Sequence, residues 1–166
     1  MSQLVTHLEN AVCYSPTEDK EEEEKHSFYE ELQRAVEETP VHDVIILGDL
    51  VAKDGTNNKG KESIMGKYGC DVINNNGSRI VDFCLENTLV IGGTIFQHKN
   101  IYKLTWTSPD GNTQNQIDHE LINKRWRGTL QDVRALREAD VGSDHIIVLV
   151  KLKLKLRKIN GHPKWM

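Results

Sequence analysis

Apolar residues in this chain fall into short clusters whose period changes along its length. Residues 10–14 (Asn-Ala-Val-Cys-Tyr) predict a short strand that stops at Ser15-Pro16-Thr17. Phe28, Leu32, Ala35 and Val36 then recur at i, i+4, i+7 and i+8, the spacing of one buried helix face. The acidic run before them, Glu18, Asp19 and Glu21 to Glu24, suits the positive end of that helix and reads as its entrance, not as a metal site. Thr39-Pro40 ends the helix, because the residue before proline resists the α conformation.

Asp43-Val-Ile-Ile-Leu47 is a continuous apolar run and predicts a strand buried on both faces. Residues 52–76, rich in Lys, Gly and Asn, predict a long surface loop. Gly77-Ser78 opens a second helix with Ile80, Phe83 and Cys84 on one face and Asn87 capping its end. Further strands are expected at 89–91, 94–96, 104–107, 116–122 and 130–135, with a tight turn at Ser108-Pro-Asp-Gly111. From Val148 to Leu156 even positions are apolar, while Lys151, Lys153, Lys155 and Arg157 alternate with them. Period two marks a strand with one wet face, and lysines suit an edge that must avoid unwanted pairing. The mixed order of strands and helices predicts an α/β (α+β) layered domain.

Composition narrows the class. Hydrophobic residues make up 37% and charged residues 28% of 166, as in globular proteins. No apolar run approaches the roughly 18 residues a membrane-spanning helix needs. Residues 1–98 hold 8 Lys/Arg against 18 Asp/Glu, whereas residues 99–166 hold 13 against 7. A basic C-terminal part hints at an anionic partner such as nucleic acid, although on charge alone a basic strand and an acidic helix as solvated faces are the simpler account. Cys13, Cys70 and Cys84 are odd in number and form no Cys-x-x-Cys pair, which argues against a zinc ribbon or disulfide framework. With no signal-peptide pattern at the start, an intracellular setting, nuclear or cytoplasmic, is expected.

Chemistry gathers at three strand ends: Gly48-Asp49, Ile117-Asp118-His119 and Ser143-Asp144-His145. Singly, each aspartate is an ordinary turn former. Together, carboxylates on one sheet edge suit Mg²⁺, and an adjoining imidazole suits phosphoryl chemistry.

These stretches, with Cys13-Tyr-Ser-Pro-Thr17, Ile46-Leu-Gly-Asp-Leu50, Leu104-Thr-Trp-Thr-Ser-Pro-Asp-Gly111, Asn115-Gln-Ile-Asp-His119, Lys124-Arg-Trp126 and Gly142-Ser-Asp-His145, carry a resemblance. The chain resembles the C-terminal two-thirds of the endonuclease/exonuclease/phosphatase superfamily. Within it, the similarity is to the apurinic-type endonuclease domain of non-LTR retrotransposons and the craniofacial development protein 2-like proteins. The resemblance implies a two-sheet β-sandwich flanked by helices over residues 10–158, with 1–9 and 159–166 outside it. It implies a divalent-metal-dependent DNA endonuclease using Mg²⁺ or Mn²⁺. By position, Tyr14 would contact phosphate, Asp49 would position or deprotonate water, and Asp118 would orient the histidine. Asp144 would belong to the metal site, and His145 would stabilise or protonate at the scissile phosphate. Trp106 and Asn115 would lie near the nucleic acid, with Lys151, Lys153 and Lys155 adding positive charge; core packing accounts for Trp106 equally well.

Two departures temper this. The family's Gly-Asp-Phe-Asn motif reads Gly48-Asp49-Leu50-Val51, so a hydrogen-bonding amide is replaced by a hydrocarbon. Such donors contribute on the order of 3 kcal/mol in comparable sites. The strands that bring the family's metal-binding glutamate also match nothing before Cys13. Weak metal binding and impaired activity are therefore expected. The alternative is a non-catalytic remnant that binds nucleic acid or protein, with a partner chain or self-association covering exposed sheet edges.

Overall fold

A computed structural model describes residues 9–39, 43–137 and 142–154. Strand β1 (Glu9–Tyr14) leads through helix α1 (Glu22–Glu38) to β2 (Val44–Asp49). A long loop then reaches α2 (Asn75–Asn87) and β3 (Leu89–Ile91). A short pair follows, β4 (Trp106–Thr107) and β5 (Gln114–Asn115), then β6 (Asp118–Asn123), β7 (Leu130–Ala135) and β8 (Val148–Leu152).

The larger sheet has the order β1-β2-β6-β3, with β1 parallel to β2 and both β2 and β3 antiparallel to β6. Alternation along its strands sends side chains to two cores. Val44, Ile46, Ile91 and Leu121 pack against Leu32 and Val36 of α1 and Ile80, Phe83 and Cys84 of α2. On the other face, Ile45, Val90 and Ile122 meet Leu130 and Val133 of β7, with Val148, Val150 and Leu152 of β8 packed alongside. Sheet therefore faces sheet, and both helices lie on the outer side of the larger one. At the join of β1 and β2, a Cβ on Gly48 would lie 2.1 Å from the Cys13 carbonyl oxygen, so the two backbones approach as only glycine permits. Beyond β1 the sheet has no further strand among the described residues, and Val12 and Tyr14 are 69% and 77% exposed.

Local chemistry explains where the elements depart from the sequence pattern. In α1, Ala35 is exposed, and the stripe is completed by Lys25, 2% exposed. Lys25 Nζ donates to the Glu18 carbonyl at 2.8 Å. Glu18 is not an α1 entrance residue: its carboxylate accepts from the Asn75 and Asn76 amides at the start of α2. With Asn74 accepting from Gly77, that starts α2 ahead of Gly77-Ser78. Its C-cap is Thr88 at φ 55°, while Asn87 remains the last helical residue. The strand expected at 94–96 is instead a 3₁₀ turn over Gly92–Thr94, because Thr94 Oγ1 donates to the Ile91 carbonyl at 2.6 Å. β6 starts two residues later than expected, because the Ile117 carbonyl is taken by the Leu50 amide. The predicted turn at Ser108–Gly111 is present, closed by the Gly111 amide on the Ser108 carbonyl at 2.8 Å. The 155–157 end of the alternating run lies outside the described residues.

Candidate active site

Strand pairing brings the first two acidic groups together. Asp49 ends β2, Asp118 begins β6, and antiparallel register sets them opposite each other. The turn before β8 supplies His145. Its Nδ1 lies 2.9 Å from Asp118 Oδ2 and its Nε2 lies 3.6 Å from Asp49 Oδ2. The imidazole thus stands between two carboxylates.

Asp49 Oδ1 also accepts from the Val51 amide at 3.1 Å. Burial and the Asp118 charge raise its pKa above the ordinary carboxylate value despite that bond. For His145, partial burial favours the neutral ring, but the Asp118 hydrogen bond and the charges of Asp118, Asp49 and Asp144 outweigh it, and the pKa rises. The imidazolium is favoured. Cys13, beside Asp49, is pushed up to about 11 by burial and that aspartate, so it is a protonated thiol at neutral pH and no nucleophile.

Asp49, Asp118 and His145 each bring one potential ligand atom within 4.8 Å of the others; the two carboxylates could hold a metal ion, whereas the imidazolium has no lone pair to give. The chemistry of the set fits a hard divalent cation: two carboxylates with water completing the shell. Each of these carboxylates, however, already spends one oxygen on a protein hydrogen bond. Asp144, the sequence's candidate metal ligand, is not one of the three. It is exposed, and its Oδ2 accepts from Trp106 Nε1 at 2.9 Å. That bond is the main reason its pKa is lowered.

The other expected site residues divide. Tyr14 pairs with Asp49 across β1 and β2 and lines a cavity of about 250 Å³ with Val12, Leu47, Asp49, Asp118 and Val148. Trp106 and Asn115 are register partners in β4 and β5, both half-buried, so neither packing nor a surface role claims Trp106 alone. Lys151 and Lys153 are exposed and alternate with the inward Val150 and Leu152. They face away from the sandwich, along β8 beyond His145, and are not gathered at the cluster. Lys155 lies outside the described residues. Two participants escaped the sequence reading. Thr105, 2% exposed, accepts the Asp118 amide on its Oγ1 at 3.2 Å. Glu120, 1% exposed, lies against Gly92 with neither carboxylate oxygen hydrogen-bonded. Glu120 falls two residues after Asp118, and a carboxylate on the inward period of a buried strand was its available signal.

A family model described as "Endonuclease-reverse transcriptase" matches residues 8–149. Craniofacial development protein 2 of Tragulus javanicus and of Bos taurus are each 42% identical over 147 residues, or 88% of this chain. The chain spans about a quarter of the length of these curated relatives: 25% and 24%. Among solved structures, the endonuclease domain of TRAS1, a telomere-specific non-LTR retrotransposon, superposes with a TM-score of 0.60 at 17% identity. It covers 86% of this chain and 57% of that one. The 3′-5′ exonuclease NExo of Neisseria meningitidis gives 0.57 at 19% identity, covering 80% and 54%. A Neisseria NExo 3′ phosphatase bound to product DNA hairpin gives 0.55 at 17%, with the same coverage.

Proposed function

Given that the chain belongs to the endonuclease-reverse transcriptase family, with the fold of the endonuclease/exonuclease/phosphatase superfamily, we propose that it is a DNA phosphodiesterase of reduced activity. The functional unit would span residues 10–158. One observation carries this reading: Asp118 and Asp49 flank the His145 ring at 2.9 and 3.6 Å. Asp49 orients water and takes its proton. His145, held as imidazolium, gives a proton to the leaving oxygen. Asp118 fixes the ring so that its Nε2 faces the reaction. Tyr14, at the rim, contacts the phosphate. Mg²⁺ or Mn²⁺ would be held through Asp49 and Asp118, with Asp144 next to the site, and would offset charge on the phosphate. Nicking of supercoiled or abasic DNA with Mg²⁺ tests this. The reading expects slow cleavage that His145→Ala abolishes; cleavage that survives that change sinks it.

Val51 favours a second reading. At φ 46° a β-branched residue occupies left-handed backbone that asparagine adopts far more readily, and its side chain brings no hydrogen-bonding group to the site. A non-catalytic remnant, retained to bind nucleic acid through Lys151, Lys153 and Lys155, would tolerate that loss. A partner chain or second copy would then cover Val12 and Tyr14. No cleavage, together with DNA binding whose salt dependence falls when those lysines are neutralised, would favour it over the enzyme. All three cysteines are free, in keeping with a reducing, intracellular setting, nuclear or cytoplasmic. No helix among the described residues is long and apolar enough to cross a membrane.

A further inference from the structure

Two segments meet at the cluster: the start of β6, carrying Asp118, and the turn at 142–146, carrying His145. They are far apart in sequence, and both bind the same dipeptide. Thr105 Oγ1 accepts from the amides of Ile117 and Asp118 at 3.1 and 3.2 Å. The Thr105 carbonyl accepts from the Ile146 amide at 2.7 Å. Thr105 therefore touches a chain neighbour of each member of the histidine–aspartate pair, one through its side chain and one through its backbone. Trp106 is the bridge partner of His145, and its indole N–H donates to Asp144 Oδ2 at 2.9 Å. The Thr107 amide adds a bond to the Asp144 carbonyl at 3.1 Å.

We infer that Thr105 and Trp106 are positioning residues: together they set the distance between Asp118 and His145, and neither touches the reacting atoms. A hydroxyl buried among backbone amides is a rigid reference point, since moving it would leave two donors unsatisfied. Trp106 clamps the histidine turn from the other side, through the residue next to His145. A carboxylate–imidazole pair works only when held within about 0.5 Å of its productive geometry. Here Thr105 and the short strand β4 that follows it hold both halves. The indole's one donor is already spent inside the protein, so Trp106 has no hydrogen bond left to give a nucleic acid.

The test uses the 166-residue chain with Thr105→Val, Thr105→Ser and Trp106→Phe, read by amide hydrogen exchange and by Mg²⁺-dependent nicking. Its catalytic arm rests on the hydrolytic reading above; its exchange arm does not. In Thr105→Val, exchange at Ile117 and Asp118 should accelerate about tenfold or more while β1 and β2 keep wild-type protection. The serine variant, which keeps the hydroxyl, should restore both. In Trp106→Phe, the acceleration should appear at Thr107 and Ile146. In nicking, kcat should fall about 10- to 100-fold for Thr105→Val and Trp106→Phe with KM unchanged, and Thr105→Ser should recover it. A raised KM with unchanged kcat in Trp106→Phe would show a DNA contact and overturn the assignment. Uniform acceleration throughout the chain, or none at these amides, would overturn it as well. If the wild type cleaves nothing, the hydrolytic reading fails, and the exchange pattern alone decides on the brace.

Discussion

Nδ1 of His145 stands 2.9 Å from Oδ2 of Asp118, and that contact fixes which ring nitrogen is left to face Asp49. An ionised carboxylate can only accept, so Nδ1 carries the proton in this pair. Asp118→Asn keeps the shape but weakens that preference, because an amide can also donate. We expect nicking to fall about 100-fold or more, with the chain still folded by circular dichroism. The His145 pKa, followed by NMR, should drop, since the Asp118 bond and charge are what raise it. An unchanged His145 titration would refute the orienting role.

The pH dependence of cleavage has two limbs. The acid limb follows Asp49, which burial and the neighbouring Asp118 hold above the ordinary carboxylate range. The alkaline limb follows His145, raised above the ordinary imidazole value by its carboxylate neighbours against a partial burial penalty. A rate profile should therefore be bell-shaped, with both limbs displaced upward. Stability carries the same sign. A group whose folded pKa is raised contributes fully below its unfolded pKa and loses that contribution as pH rises through the folded value. His145→Ala should lose stability relative to wild type near pH 5 and approach it near pH 9. Equal differences at both pH values would contradict this.

Val51 is both a local strain and a missing side-chain donor. Left-handed backbone costs a non-glycine residue about 1–2 kcal/mol, least for asparagine. Val51→Asn and Val51→Gly should each raise the unfolding free energy by about 1 kcal/mol in urea denaturation. Only the asparagine variant adds a hydrogen-bonding group beside Asp49, so only it should speed nicking, by about tenfold. Equal rates in the two variants would mean that the side chain does not reach the chemistry.

Glu120 is buried in the sandwich, and burial raises its pKa well above the ordinary value. Burial favours the neutral acid in the fold, and stability drains away as pH climbs above the unfolded value. Glu120→Gln removes the ionisation while keeping the shape. It should match wild type near pH 4 and exceed it by about 2 kcal/mol near pH 8. A constant offset across that range would show that the carboxyl does not titrate on unfolding.

Most of the frame was legible because burial enforces period. β2 and the face of α2 containing Ile80, Phe83 and Cys84 lie where the apolar runs put them. Asp49, Asp118 and His145 could be picked out because strand ends repeat a chemical type. What escaped was set by single side-chain bonds over long separations. Glu18 caps a helix more than fifty residues away, and Thr94 turns its own backbone out of the strand expected there. Thr105 gave no signal, since its partners at 117, 118 and 146 meet only after folding. For Asp144, the three-residue motif says which side chains are adjacent in sequence but not which way each one turns.

Gly48 bears on all of this without owning a side chain. The Cys13 carbonyl fills the space where a Cβ would sit, so even alanine there would push β1 off β2. Tyr14 and Asp49 are the last matched pair along that seam, and they would be carried apart with it. In a scan of every substitution along the chain, position 48 should be among the least permissive, intolerant of the smallest change as much as of the largest. The atom that must be absent is as much a part of the site as the carboxylate next to it.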